Sequence, residues 1–284
     1  MSRVGWMNGS LVDESKATLS VFDHGLLYGD GVFEGIRYYD RRIFRGDAHL
    51  ARLRQSARAI DLALPYSTTQ LQHALASVVE QSSTPDGYLR LVITRGIGDL
   101  GLNPRSCARA QAFIVTGTVT IVNRNDNAGA AVIIASTRQT SPDQLDPRIK
   151  SLNYLPRILA RIEANRAGAD EAIMLNPAGH IAEGTGDNVF IVRNGILLTP
   201  PTTDGALEGI TRAVILELAA TANIRTAIQS LSPLDLRTAD EAFLTGTAAE
   251  LIPIHSVDGL PLVTGPIFQQ LEQAFRTLVR QEST

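Results

Sequence analysis

The chain is short of cysteine, of long apolar runs and of net charge, and each shortage excludes a class of protein. Cys107 is the single cysteine, which rules out an intramolecular disulfide and indicates a reducing, cytoplasmic compartment. No apolar run reaches the roughly 18 to 20 residues of a membrane helix, and residues 1–6 lack the apolar stretch of a secretory signal. A net charge of −3 gives no electrostatic footprint for nucleic acid or for an anionic membrane.

The scarcity of lysine draws attention to one position. Of the 26 lysine and arginine residues, only Lys16 and Lys150 are lysines, and Lys16 lies in a polar segment typical of a surface. A lysine amine can lose a proton, attack a carbonyl and form an imine, whereas a guanidinium stays charged. Taken alone, Lys150 is most simply a solvated residue before a helix. The sequence downstream favours a chemical role instead.

Three further segments follow a recognisable order. Residues 183–190 read Glu-Gly-Thr-Gly-Asp-Asn-Val-Phe, and residues 207–212 read Leu-Glu-Gly-Ile-Thr-Arg. Together with Lys150 they resemble the class IV, fold type IV enzymes that use pyridoxal 5′-phosphate (PLP). Residues 28–37, Tyr-Gly-Asp-Gly-Val-Phe-Glu-Gly-Ile-Arg, look most like branched-chain amino-acid aminotransferases. The similarity extends from Asp23 to Glu250, over most of the chain.

This resemblance implies a fold with α+β and α/β character: two mixed α/β lobes with the cofactor between them. A length of 284 residues allows two modest domains. We predict a small N-terminal α+β domain over residues 1–118, an interdomain linker over 119–129 and a C-terminal PLP-binding domain over 130–284. The linker is placed there because residues 123–129 are polar and lack periodicity.

Apolar periodicity and turn residues predict the main elements. Asn8-Gly9 is a strong hairpin signal, and helices are predicted over residues 47–60, 69–81, 152–167 and 266–280. In the third helix we expect Leu155, Leu159 and Ile162 to face inward. The spacing of four residues places Tyr154 on the same helical face as Lys150.

The resemblance assigns the cofactor contacts. Lys150 is the catalytic amine, which forms the imine and moves the proton at the substrate Cα. Glu183 faces the pyridine nitrogen and keeps it protonated, while the Tyr154 hydroxyl bonds the phenolic oxygen. Singly, these are ordinary surface or helix residues, and nothing predicts a metal site. The phosphate is assigned to an arginine, a helix N-terminus and a small-residue turn, namely Arg52, Gly209, Ile210, Thr211 and Thr247.

Substrate contacts also come from the resemblance. Apolar walls take the side chain, and a Tyr-x-Arg segment and a turn orient the α-carboxylate; the residues are Tyr28, Phe33, Gly35, Arg37, Tyr88, Arg90, Thr247 and Ala248. We expect Arg37 or a loop arginine, Arg95 or Arg105, to meet the γ-carboxylate of 2-oxoglutarate. Residues 118–123 lack the aromatic residues that typical bacterial branched-chain enzymes place there, which favours a wider pocket.

The predicted function is therefore a transaminase that moves an amino group from branched-chain or other apolar L-amino acids to 2-oxoglutarate. The resemblance also implies a homodimer or higher homo-oligomer with small amino-acid and 2-oxo-acid substrates. Alternatives of the same fold are a D-amino-acid transaminase, an aminodeoxychorismate lyase and an (R)-amine transaminase. A non-catalytic PLP-binding protein is a rival from another class. A nucleotide site is disfavoured because neither Gly29-x-Gly31 nor Gly184-x-Gly186 completes a glycine fingerprint.

Overall fold

Two compact units make up the part of the chain that the structure describes, residues 4–117 and 129–282 of a computed structural model. The first unit comprises residues 4–117, 149–153 and 279–282, and the second comprises residues 129–148 and 154–278. Residues 149–153 and 279–282 therefore group with the N-terminal part, unlike in the predicted contiguous domains. Apart from Gly129, the predicted linker lies outside the described residues, as does the stretch 118–123.

The first unit is built on a six-stranded sheet in the order β2-β1-β6-β5-β3-β4, in which every neighbouring pair is antiparallel. Three helices accompany this sheet. The elements are β1 (Val4–Met7), β2 (Ser10–Asp13), α1 (His24–Tyr28), β3 (Gly31–Tyr39), β4 (Arg42–Ile43), α2 (Gly46–Ala59), α3 (Thr68–Glu80), β5 (Gly87–Thr94) and β6 (Gln111–Gly117).

The two faces of this sheet carry different side chains, because neighbours along a strand point to opposite faces. One face packs its apolar residues, such as Val32, Ile36 and Leu91, against the buried sides of α2 and α3. The alternate residues of β3 and β5 belong to the other face. That face holds most of the predicted substrate residues, Phe33, Gly35, Arg37, Tyr88 and Arg90.

The segment around Lys150 extends the edge of this sheet. The Phe33 amide donates to the Lys150 carbonyl at 3.0 Å, and the Leu152 amide donates to the Gly31 carbonyl at 3.0 Å. Ser151 forms an antiparallel bridge with Val32 between these bonds. The ladder explains why residues 149–153 group with the first unit. The predicted helix start at residue 152 is wrong, since the helix begins at Leu155, so Lys150 lies outside it and shares no helical face with Tyr154.

The second unit contains a mixed sheet of nine strands in the order β12-β11-β10-β13-β14-β7-β8-β9, with β15 paired to β14. Its parallel pairs are β11–β12, β14–β7 and β7–β8. The strands are β7 (Ala130–Ile134), β8 (Glu171–Leu175), β9 (Ile181–Gly184), β10 (Asn188–Arg193), β11 (Ile196–Thr199), β12 (Thr226–Ile228), β13 (Glu241–Gly246), β14 (Glu250–Val257) and β15 (Leu260–Pro261).

The remaining helices are α4 (Pro142–Leu145), α5 (Leu155–Arg166), α6 (Ile210–Thr221), α7 (Pro233–Arg237) and α8 (Pro266–Glu282). The predicted Asn8-Gly9 turn and the helices near residues 47–60, 69–81 and 266–280 are confirmed. Among the described residues, no helix is both long enough and apolar enough to cross a lipid bilayer.

Helix α5 is oriented opposite to its prediction. The side chains buried on it are those of Arg157, Ala160 and Ala164. The residues expected to face inward are exposed, together with one more at the same helical spacing: Leu155 at 64%, Ile158 at 53%, Leu159 at 47% and Ile162 at 37%. Ala160 and Ala164 are small and pack closely against β8, and Arg157 lies on the same buried face in an ion pair. The larger apolar side chains lie on the other side of α5 and form an exposed stripe.

Candidate active site

Lys150 is held by its backbone from two sides. Its carbonyl accepts from the Phe33 amide, and its own amide donates to the Ser56 hydroxyl on α2 at 3.0 Å. The side chain is half-buried, and its Nζ lies 4.7 Å from the centroid of the Phe33 ring. A fixed backbone and an aromatic neighbour give this amine a defined position, which a lysine on a free loop does not have.

Phe33 lies next to other predicted substrate residues. The Arg90 guanidinium lies 4.4 Å from the Phe33 ring centroid, and Arg90 Nη2 donates to the Tyr88 hydroxyl at 3.3 Å. Gly35 lies opposite Arg90 in the register. A Cβ on Gly35 would approach the Tyr88 hydroxyl to 1.9 Å, so the tyrosine ring occupies the space that glycine leaves. The structure thus brings Phe33, Gly35, Tyr88, Arg90 and Lys150 together.

Arg37 and Tyr28 make other contacts. Arg37 pairs with Tyr88 in the register, and its guanidinium lies 5.2 Å from the Tyr39 ring centroid. Tyr28 ends the five-residue helix α1 and donates to the Leu100 carbonyl. His24 contacts the neighbouring Asp99 carbonyl through Nε2 at 2.7 Å. Tyr28 and His24 therefore anchor the loop that follows Arg95.

The loop arginines differ in their surroundings. Arg95 donates through Nε and Nη2 to the Asp30 carboxylate, each at 2.9 Å, and also to the carbonyls of Ile60 and Asp61. These contacts indicate that Arg95 fixes the start of the loop that follows it. Arg105 is exposed.

Arg52 lies on α2, against the face of the sheet that carries Glu34. Its Nε and Nη2 donate to the two Glu34 oxygens, each at 2.8 Å, and His49 Nδ1 donates to the same carboxylate at 2.7 Å. Burial alone would raise the pKa of Glu34, but the charge and hydrogen bonds of Arg52, with those of His49, hold it at about 2. Burial lowers the pKa of His49. Sequence reasoning missed Glu34 and His49 as partners, although the alternation of Glu34 with the substrate residues of β3 was a usable signal.

Glu183, on β9, is almost fully buried and accepts four hydrogen bonds. Oε1 receives Gln139 Nε2 at 3.0 Å and Arg157 Nη2 at 2.5 Å. Oε2 receives the Leu207 amide at 3.0 Å and Asn188 Nδ2 at 3.4 Å. These four donors compensate the carboxylate for its removal from water. Gln139, Arg157 and Asn188 had not been predicted as site residues.

Arg157 also contacts the predicted partner of the phenolic oxygen. Its guanidinium lies 5.0 Å from the ring centroid of Tyr154, the residue that precedes α5. Burial alone would lower the pKa of Arg157, but the negative charge of Glu183 and other nearby groups raises it above its ordinary value. Sequence reasoning missed this arginine, because the predicted inward face of the helix was the one with Leu155, Leu159 and Ile162.

The first turn of α6 has the features of an anion site. No described side chain caps its N-terminus at Gly209, so the first amides are available to a ligand. A Cβ on Gly209 would come within 1.9 Å of Asn188 Oδ1, which shows how closely this turn approaches β10. Thr211 is buried in the same turn, and Thr247 lies half-buried in the turn between β13 and β14, next to Ala248.

These donors match the parts of PLP. The first unit offers a positioned amine, and the second offers a buried carboxylate, a tyrosine and the uncapped N-terminus of a helix twelve residues long. An anion stabilises a protonated pyridine nitrogen, and the backbone amides at a helix start bind phosphate well. The residues present therefore fit the cofactor.

Residues 31–257 match the family described as amino-transferase class IV. The chain belongs to the class IV aminotransferases. It is similar to a putative branched-chain-amino-acid aminotransferase of Methanocaldococcus jannaschii, with 44% identity over 276 residues, which cover 96% of this chain and 95% of that protein.

Two solved structures extend this similarity to the fold. A branched-chain aminotransferase from Thermoproteus uzoniensis, with norvaline, has a TM-score of 0.94 at 37% identity, covering 99% of this chain and 96% of that one. The branched-chain amino acid aminotransferase of T.th., complexed with N-(5′-phosphopyridoxyl)-L-glutamate, has a TM-score of 0.93 at 32% identity, covering 99% and 95%. The predicted family, fold type IV and PLP cofactor are confirmed, and the aminotransferase is of the branched-chain kind.

Proposed function

We propose that this aminotransferase moves the amino group of branched-chain and other apolar L-amino acids to 2-oxoglutarate. The observation that carries the proposal is the group around Phe33, whose apolar ring contacts both the Lys150 amine and an arginine. Phe33 offers the apolar surface, and Arg90 offers a positive charge 4.4 Å from that ring. A pocket with both features suits an apolar side chain in one half-reaction and a second carboxylate in the other.

The solved relatives support both halves of this proposal. One contains norvaline, an apolar amino acid, and the other contains a phosphopyridoxyl adduct of L-glutamate. We assign the substrate carboxylates to Arg37 and Arg90, which belong to the same face of the sheet. Arg95 is the weaker candidate because its guanidinium is engaged by Asp30 and by two carbonyls.

We further propose that the chain binds PLP through the residues predicted from the sequence. Lys150 holds the aldehyde carbon, Glu183 faces the ring nitrogen, Tyr154 bonds the phenolic oxygen, and the phosphate contacts are Arg52, Gly209, Ile210, Thr211 and Thr247. When bound, PLP supplies the aldehyde that takes the amino group and a ring that withdraws electrons from Cα. Lys150, in its neutral form, would move the proton at the substrate Cα.

Because the chain has only two lysines, a covalent label can be assigned to Lys150 or to Lys16 without ambiguity. Borohydride reduction of the PLP-loaded protein, followed by peptide mass spectrometry, should place the cofactor mass on Lys150. The matched control is Lys16→Ala, which should label as fully as the wild type, whereas Lys150→Ala should not label. A label on Lys16 would refute the assignment.

Substrate class is tested separately. Mixing the PLP-loaded enzyme with single amino acids should bleach its visible absorbance rapidly with L-leucine and L-valine. The pyridoxamine form should be converted back by 2-oxoglutarate. Faster bleaching with D-alanine, D-glutamate or an (R)-amine would instead assign the chain to one of the other transaminases of this fold.

We also propose that the enzyme is a homodimer or a higher homo-oligomer. The support is the exposed stripe on α5, in which four large apolar side chains follow one another at helical spacing. Ile158→Glu should shift the mass measured by light scattering toward the monomer. Leu234→Glu is the matched control, because Leu234 is a comparably exposed leucine, at 66%, outside the stripe. An unchanged mass in Ile158→Glu would remove the stripe as the interface.

A further inference from the structure

Arg157 touches both side chains that the proposed function assigns to the PLP ring. Its Nη2 donates to Glu183 Oε1 at 2.5 Å, and its guanidinium lies 5.0 Å from the Tyr154 ring centroid. Nη1 donates to the Thr185 carbonyl at 3.3 Å. Because the side chain is only 9% exposed, these contacts fix its orientation.

The Glu183 carboxylate has no spare acceptor position beside this arginine. A carboxylate offers about four lone-pair sites, and Glu183 accepts four donors. A ring N–H would be the fifth donor, so it must displace one. The Asn188 bond, at 3.4 Å, is the longest of the four, and the Arg157 bond, at 2.5 Å, is the shortest.

The charge of Arg157 opposes protonation of the ring nitrogen, as its hydrogen bond to Glu183 does. A guanidinium on the carboxylate repels a protonated ring nitrogen nearby and weakens the pull of the carboxylate on its proton. We propose that Arg157 is a positioning residue that competes with the ring nitrogen of PLP for Glu183 and so limits how far that nitrogen is protonated. This inference rests on the proposed function, which makes Glu183 the partner of the ring nitrogen.

The other charged groups around Glu183 are the same in the wild type and in a variant of Arg157, so a comparison of the two isolates the effect of Arg157. Arg212, on α6, is a second buried cation that interacts with Glu183, although burial lowers its pKa. Glu171, on β8, is paired with Arg161 at 3.1 Å. The remaining acidic groups around the site are the exposed Glu208, which also interacts with Arg212, and Asp187, which is buried in the turn between β9 and β10.

The test follows the ring nitrogen directly. Protein loaded with PLP carrying ¹⁵N in its ring is titrated from neutral to alkaline pH while the ring ¹⁵N chemical shift is recorded. In the wild type the nitrogen should lose its proton within this range. In Arg157→Gln the midpoint should rise by about one pH unit or more, the order expected for removing one unit charge near the ring at an effective dielectric of about 20.

Charge and shape are separated by two further variants. Arg157→Lys keeps the charge, so its midpoint should remain near that of the wild type. Arg157→Ser is a second neutral variant that leaves room for water on Glu183, and it should agree with Arg157→Gln. A merely structural role would leave the midpoint of both neutral variants at the wild-type value, which would overturn the inference. A wild-type ring nitrogen that stays protonated throughout the titration would overturn it as well, even if no neutral variant folds.

Glu183→Gln separates this inference from the proposed function. If the wild type binds no PLP, or if Glu183→Gln leaves the ring-nitrogen signal unchanged, the assignment of Glu183 is wrong. If Glu183→Gln lowers the midpoint but the folded neutral Arg157 variants leave it unchanged, the competition alone is wrong and the proposed function stands.

Discussion

Two buried arginine–carboxylate pairs, one in each unit, have different surroundings. Glu34 accepts hydrogen bonds from two nitrogens of Arg52 and from His49. Glu183 accepts one from Arg157 and three more from neutral donors. Both carboxylates are removed from water, so both require compensation. In the first unit this compensation comes mainly from the guanidinium of Arg52. In the second unit it is shared between Arg157 and three neutral donors.

The difference separates a folding role from a binding role. A carboxylate that depends on one arginine cannot exchange that partner without leaving a charge buried. A carboxylate with three neutral donors can lose one weak contact to an incoming group. Glu34 is thus suited to fixing α2 against β3, and Glu183 is suited to accepting a ligand. Arg52 retains a binding role in the proposal, because a guanidinium has five N–H donors.

The largest effect is expected from breaking the first pair. Arg52→Gln should lower the free energy of unfolding by about 3–5 kcal/mol, since it leaves Glu34 without its main counter-charge. Urea unfolding of the protein freed of PLP measures this directly and excludes stabilisation by bound cofactor. A loss below about 1 kcal/mol would show that His49 alone compensates Glu34, and the proposed contrast would disappear.

The second-largest effect is expected from acid, which protonates Glu34. With a folded pKa of about 2, Glu34 contributes stability above its ordinary value of 4.5 and loses it as the pH falls toward 2. This shift corresponds to about 3 kcal/mol. The lowered pKa of His49 acts in the same sense, because below its ordinary value of 6.5 the unfolded chain binds a proton that the folded chain resists.

Unfolding of the cofactor-free protein at a series of pH values tests this dependence. The wild type should lose stability steadily below pH 6.5, and most steeply below pH 4.5. In Glu34→Gln the loss below pH 4.5 should be less steep, since Glu163, whose pKa is also about 2, still contributes, and the variant is less stable at neutral pH. An equally steep loss in that variant would assign acid sensitivity to other carboxyl groups.

The second pair should be less costly to break. Arg157→Gln should lower the free energy of unfolding by about 1–3 kcal/mol, since Glu183 keeps its bonds from Gln139, Asn188 and the Leu207 amide. The substitution matches Arg52→Gln in chemistry, so the two urea midpoints compare directly. Equal losses would contradict the view that neutral donors share the compensation of Glu183.

Sequence reasoning reached one member of each pair and missed the other. Arg52 and Glu183 belong to segments whose order resembles a known family, so the sequence alone was enough to name them. Glu34 stands within such a segment, but its role depends on which sheet face α2 covers. Arg157 owes its role to the rotation of α5, which apolar periodicity predicted in reverse. Exposed leucines and isoleucines at helical spacing imitate a core face, and one sequence cannot reveal what covers them.

The fold was easier to predict where local signals agree with tertiary packing. The Asn8-Gly9 hairpin and the helix predicted over residues 69–81 follow from turn residues and apolar spacing alone. The position of Lys150 does not follow from such local signals. Its segment joins the edge of β3 through two backbone hydrogen bonds to residues more than a hundred positions earlier, and local sequence carries no signal for that pairing.

The smallest effect is expected at an exposed pair of the same chemistry. Arg276 Nη2 donates to Glu272 at 2.7 Å across one turn of α8, and Arg276 is 58% exposed. Water and salt screen this charge, so Arg276→Gln should cost about 0.3 kcal/mol and less still in high salt. The distance is similar to that of the Arg52 pair, so distance alone predicts equal losses, whereas burial predicts about a tenfold difference. A urea midpoint for Arg276→Gln as low as that for Arg157→Gln would show that burial does not set the order.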